Sequence, residues 1–297
     1  MSKGYTIGRI ILTVLMSFFI AGYIFVSAAD SMLSLPKIYT NIIQDEKLAD
    51  KAYAAIESDF EKQYNTTAIP AEVYMEAIDS QWLEDEMCKR TEIYLNYIDG
   101  EEADYLTDYT ALEKSITDFF NEYAESINYE PDDAFNEKLD ETIANAKSTI
   151  ENRIDAFYMN TLKSNGYLDK IQKYKPVLNI LNWTLYGLFM ILIVVLILIE
   201  RTKSWRRLYW SGTGFFCGGM LGLIPCIYAL CTNVINSFAV KDPIIFTAVT
   251  NLLENGLQRI MSKSVLFIVL GIIIIILNVI FCNKKQTAIL DKQTDEK

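Results

Sequence analysis

The sequence contains no histidine. That absence removes the side chain that most often acts as a general base near neutral pH. It also removes Ser-His and Cys-His nucleophile pairs and the commonest metal ligand. Cysteine is scarce: Cys88, Cys217, Cys226, Cys231 and Cys282, with no Cys-x-x-Cys spacing. Neither a zinc knuckle nor a dithiol redox site is therefore readable. There is no phosphate-cradling glycine loop, nucleophile elbow or metalloprotease motif. The expectation is a protein without catalytic activity and without a cofactor. Cys88 is the only cysteine between residues 30 and 175. That stretch has no internal disulfide and depends on its core, where Cys88 is expected as a small buried apolar residue.

Charge is missing from four long stretches. Residues 10–29 are uncharged between Arg9 and Asp30, and residues 176–199 between Lys175 and Glu200. A third stretch follows Arg207, with its span expected over residues 208–231, and a fourth covers residues 264–282. Each approaches or exceeds the roughly 20 apolar residues that cross a bilayer core. The short flanks are basic: Lys3 and Arg9; then Arg201, Lys203, Arg206 and Arg207 within residues 200–207; then Lys284 and Lys285. With four crossings all three flanks share one side, which the distribution of lysine and arginine identifies as the cytoplasm. Residues 1–9 and 283–297 then lie inside the cell, with the chain in the plasma membrane. Residues 30–175 and 232–263 lie outside. The first stretch, ending in Ser27-Ala28-Ala29, also fits a secretory leader, although it is long for that role.

Residues 30–175 carry 32 acidic and 14 basic residues, a net charge of −18, while the whole chain carries −11. A surface this acidic repels nucleic acid and attracts cations or basic peptides. It also serves simply as a solvated face. The apolar period is helical. Ala49, Ala52, Ile56, Phe60 and Tyr64 form one stripe, and Leu112, Ile116, Phe119, Phe120, Tyr123 and Ile127 another. Leu139, Ile143, Ala146, Ile150, Ile154 and Phe157 form a third, and Val73, Ala77, Ile78, Trp82, Ile93 and Ile98 a looser fourth. Helices are expected over residues 37–64, 70–99, 110–129 and 133–165. Pro70 and Gly100 bound the second, and a Thr110–Glu113 capping box opens the third. The expected fold is all-α: four transmembrane helices, with an acidic extracytoplasmic helical bundle inserted between the first and second.

The stretch Ile69-Pro70-Ala71-Glu72-Val73, continuing through Trp82-Leu83 to Tyr94-Leu95 and Gly100, resembles a helical stretch in bacterial multi-pass membrane proteins of similar layout that have no assigned activity. The resemblance covers about one helix. It implies a bacterial origin and transfers no function. At the level of fold, a helical bundle between two membrane helices also resembles the ligand-binding domains of bacterial chemoreceptors, but this chain has no cytoplasmic signalling coiled coil.

Three features are candidate sites. Asp99, Glu101, Glu102, Asp104 and Asp108 crowd one link between helices. Carboxylates on a loop can gather calcium, but Gly100 directly after Asp99 departs from the EF-hand pattern, and a solvated acidic turn is the simpler expectation. Gly214, Gly218 and Gly222 repeat every four residues and permit close helix packing, within the chain or in an oligomer, or a pore hinge assisted by Pro225. The link after Asp242 reads as an amphipathic helix on the outer surface, interrupted at Gly256. The leading expectation is a membrane protein whose acidic outer domain binds a partner or ligand, with an accessory or sensor-like subunit of a larger complex as one form of that role. Its membrane helices contact lipid and pack with one another or with a protein partner. The alternative is an oligomeric channel or transporter subunit with an acidic, cation-attracting vestibule.

Overall fold

The structure, a computed structural model, describes residues 3–102, 105–199, 208–237 and 240–295. The chain is 86% helical, and the described residues contain no strand. They divide into two compact units. One comprises residues 1–32, 174–237 and 253–297, and the other residues 33–173 and 238–252.

Four helices are long and apolar enough to cross a membrane: α1 (Lys3–Ser34), α9 (Tyr167–Ile199), α10 (Tyr209–Cys231) and α11 (Pro243–Asp295). Two differ from the sequence expectation. Helix α9 starts well before residue 176 and runs through Pro176. The link after Asp242 is not a separate surface helix, because α11 continues unbroken through Gly256 and Lys263 into the last apolar stretch. Gly256 offers no turn: a β-carbon there would stand 2.6 Å from Met32 Sδ. Glycine at this point admits the α1 side chain instead of breaking the helix. The orienting cations Arg201, Lys203, Arg206 and Arg207 lie outside the described residues.

The first unit is organised around α10. Along one face, a β-carbon added at Gly214 would approach Met16 Sδ to 2.9 Å, and one at Gly218 would approach Ile20 Cβ to 2.8 Å. One at Gly222 would meet Ser264 Oγ at 2.5 Å and Ile24 at 3.5 Å. Ser17 Oγ also donates to Gly214 O at 3.2 Å. On a second face, a β-carbon at Gly219 would meet Ser264 O and Ile268 Cγ1, both at 2.7 Å. One at Gly212 would meet Gly271 O at 3.0 Å. Helix α10 is thus held against α1 by one glycine row and against α11 by another. Met16, Ile20, Ile24, Phe189, Leu196 and Phe267 fill the interior. Tyr23, Phe189 and Phe267 meet there edge to face, and Phe215 stacks on Phe267.

The second unit holds the shorter helices: α2 (Pro36–Asp45), α3 (Leu48–Thr67), α4 (Ala71–Met75), α5 (Ser80–Ile98), α6 (Thr110–Ser126), α7 (Asp133–Ile154) and α8 (Met159–Ser164). Helix α5 lies against α2, α3, α7 and α8, and α6 against α4 and α7. Three expected helices are each divided. Residues 37–64 break at Lys47, which adopts a left-handed conformation at φ 50°. Residues 70–99 break before Ser80, where Asp79 caps α5 by accepting from Trp82 N. Residues 133–165 break at Asp155, whose carboxylate accepts from Met159 N and Asn160 N and starts α8. The expected Thr110–Glu113 capping box is replaced. Asp108 accepts from Thr110 N and its hydroxyl, while Glu113 pairs with Lys147. The stripes are trimmed too. Tyr64, Tyr123 and Ile127 are exposed, and the buried face of α5 runs through Leu83, Met87, Leu95 and Ile98, with Trp82 and Ile93 at its margin.

The glycine contacts yield a paired test. A β-carbon at Gly271 would meet Phe216 N at 2.6 Å and Gly212 O at 2.8 Å, both backbone atoms, so no side chain can rotate away. A β-carbon at Gly187 meets nothing within 4 Å. Gly271→Ala is expected to lower stability by about 1–3 kcal/mol through overpacking. Gly187→Ala should leave stability unchanged or raise it by up to about 1 kcal/mol through helix propensity. Thermal unfolding of both variants in detergent checks this.

Candidate functional site

Loop positions in the second unit are set by a buried charge centre. Arg90 lies on the inner face of α5 with its side chain only 9% exposed, and it forms a two-pronged pair with Glu151 of α7. Arg90 Nη2 also donates to Thr107 Oγ1 at 2.8 Å, and the Tyr109 hydroxyl donates to Glu151 at 2.8 Å. Nearby, the Tyr105 hydroxyl donates at 2.6 Å to the buried Glu86, which also pairs with Lys89. These bonds pin the chain between α5 and α6 at residues 105–109. Burial alone would raise the Glu151 carboxyl; hydrogen bonds from Arg90 and Tyr109, with the Arg90 charge, outweigh it and hold the carboxyl below its usual range. Burial, with the adjacent Glu151 carboxylate, drives the Tyr109 phenol strongly upward. Each charge of the centre faces a partner, although Arg90 Nε itself is buried without a hydrogen bond, so the cluster reads as a scaffold for its surroundings.

Two cavities open on this scaffold. The larger, about 590 Å³, is bordered by Asp59, Lys62, Asn152, Arg153 and Asp242. Arg153 donates to both Asp59 and Asp242, and Lys62 pairs with Asp59, so the two carboxylates face two cations. Hydrogen bonds from Arg153 and Lys62 outweigh burial and hold Asp59 below its usual range.

The second cavity, about 490 Å³, lies between α4 and α6. Val73, Ala77 and Phe119 give it an apolar lining, and Glu76, Asp118 and Glu122 stand on its edge with Lys114. Ser115 Oγ donates to Val73 O at 2.6 Å and fixes the two helices across it. Asp118 and Glu122 are one turn apart on α6, which puts both on the same side. Among the described residues, neither they nor Glu76 form a side-chain hydrogen bond or ion pair. This cavity therefore combines apolar surface with an excess of negative charge, three carboxylates against Lys114, the complement of a basic amphipathic segment.

The acidic link behaves differently. Asp108 caps α6, and Asp99 closes α5 ahead of Gly100 at φ 103°. Asp104 lies outside the described residues. Among the described residues no three His, Cys, Asp or Glu side chains gather as a metal site, so Asp99, Glu101, Glu102 and Asp108 are not brought together as one. Cys88 is half-buried, its thiol pushed up to about 11 by burial and by Glu84, Glu92 and Asp85. A thiol in that state is a poor nucleophile.

Comparison with protein-family models, curated proteins and solved structures gave no match to this chain.

The charge centre sets two expectations. Arg90→Ala leaves the partly exposed Glu151 and the buried Tyr109 without their cation and should cost up to about 3 kcal/mol of stability. Glu151, with a folded value below its ordinary 4.5, contributes stability that is present above 4.5 and lost as pH falls through the folded value. Circular-dichroism melting between pH 6 and 3 should show this acid loss, and Glu151→Gln should diminish it.

Proposed function

We propose that this chain is a non-enzymatic multi-pass protein of the cell membrane whose acidic extracytoplasmic helical domain binds a basic partner. On this reading α1, α9, α10 and α11 cross the bilayer, both termini are cytoplasmic, and residues 30–175 lie outside. A bacterial origin fits the resemblance of the stretch from Ile69 to Gly100.

The observation that carries the binding reading is the α4–α6 cleft. Its apolar lining supplies burial, and Glu76, Asp118 and Glu122 supply unpaired charge. A lysine-bearing amphipathic helix matches both properties. The net charge of −18 over residues 30–175 would steer such a partner toward the surface before it docks. The channel reading draws less support, because the glycine rows of α10 are taken up by α1 and α11 within the chain.

The test uses full-length protein in detergent and a fluorescent, lysine-rich amphipathic peptide followed by anisotropy. Glu76→Gln combined with Glu122→Gln should weaken binding about three- to tenfold, since each exposed charge pair contributes about 0.2–1 kcal/mol. Raising salt from about 0.05 to 0.5 M should weaken the wild type further. Glu137→Gln, on exposed α7 surface, should have little effect. Equal loss in the double variant and in Glu137→Gln would reduce the cleft to general acidity, and no binding by the wild type would refute the reading.

A further inference from the structure

Two cations of the first unit lie close together on α11. Arg259 and Lys263 stand one turn apart and therefore on one face, separated along the axis by about 6 Å. That face lies against α1. Gly256 packs on Met32 and Lys263 Nζ donates to Ser27 Oγ, so the two helices run antiparallel here.

The neighbourhood is rich in donors and poor in acceptors. The Lys263 ammonium has given one of its three hydrogens to Ser27 and retains two. Ser27 Oγ accepts that bond, which leaves its own hydroxyl proton to be given elsewhere. Arg259 Nε is buried without a hydrogen-bond partner. No salt bridge joins Arg259 or Lys263 to a carboxylate among the described residues. Asp30 attracts Lys263 through space, and Arg259 repels it. Two cations against one anion leave the cluster net positive. Two half-buried cations that share a single counter-charge are costly to hold together, and that cost is relieved by an anion that accepts several hydrogen bonds at once.

Position identifies the kind of anion. Beyond Lys263 no charged residue occurs until Lys284, and this uncharged stretch is about the length of a bilayer core. Val265, Leu266 and Val269, immediately beyond the cations, are exposed apolar residues available to acyl chains. Arg259 and Lys263 thus stand at headgroup level with lipid-facing surface beside them.

We infer that Arg259 and Lys263 of α11, with the Ser27 hydroxyl of α1, form a binding site for the phosphate of an anionic phospholipid. The site is separate from the acidic cleft and does not depend on it. Phosphate oxygens accept from the guanidinium, the ammonium and the hydroxyl, while the acyl chains lie along the apolar surface of α11.

Native mass spectrometry of the full chain, released from detergent with equal amounts of phosphatidylglycerol or phosphatidylcholine, tests this. The wild type should retain phosphatidylglycerol about tenfold better than phosphatidylcholine, the scale set by roughly 1 kcal/mol per cation near a lipid surface. Arg259→Gln combined with Lys263→Gln should abolish that preference, whereas Lys170→Gln on α9 should preserve it. Equal retention of the two lipids by the wild type would overturn the proposal without any variant, as would a preference that survives the double substitution. Displacement of the lipid by an equal concentration of inorganic phosphate would overturn the lipid assignment in favour of a free-anion site.

Discussion

Within hydrocarbon, two apolar helices gain little by leaving lipid for each other, because acyl chains are as apolar as leucine. Association then depends on how closely the backbones approach. On the reading of α1, α10 and α11 as membrane helices, the arrangement of the first unit follows from the missing β-carbons of α10. Gly214, Gly218 and Gly222 let α1 close in, and Gly212 and Gly219, with Gly271 across from them, do the same for α11. Bulkier residues at these points would push the helices apart, and the aromatic interior of Tyr23, Phe189, Phe215 and Phe267 would lose its partners.

The second unit uses the opposite chemistry. Water surrounds it on this reading, so apolar burial supplies the drive, and a charge centre gives direction. Ile43, Leu48, Ile56, Phe60 and Leu83 are fully enclosed. Such a core tolerates helix rotation, whereas the two-pronged Arg90–Glu151 pair does not, since planar guanidinium and carboxylate meet in one geometry. Tyr105, Thr107 and Tyr109 carry that restraint into the connection toward α6, and α6 forms one wall of the acidic cleft. The charge centre thus contributes to the shape of a site it does not touch.

The long apolar segments were legible in the sequence, because length and composition are local properties. Helix α10, at Tyr209–Cys231, falls almost where the uncharged stretch put it. Breaks were harder to see. Lys47 turns left-handed without a glycine or proline to announce it, and the stripe on either side keeps its helical spacing. The Arg90–Glu151 pair joins residues 61 apart, a distance no local pattern reports. One signal was available: Arg90 falls on the same stripe as Leu83, Met87 and Leu95, where a charge needs a buried partner. Arg259 and Lys263 are inconspicuous for a related reason. The uncharged stretch begins only after Lys263, which conceals a single continuous helix carrying its cations toward α1. The α4–α6 cleft arises from tertiary packing, and its acidic residues look in sequence like any other solvated charge.

The two glycine rows divide α10 lengthwise into lanes. On two of them no substitution is free, because every added atom meets a neighbouring helix. On the third, Cys217, Leu221, Ile224 and Tyr228 face outward at spacings of four, three and four. Over long descent this helix should accordingly drift along one edge and stand still along the others. Distant kin of the chain would then be recognised by a rhythm of immobile small residues, even where the rest of the helix has been rewritten.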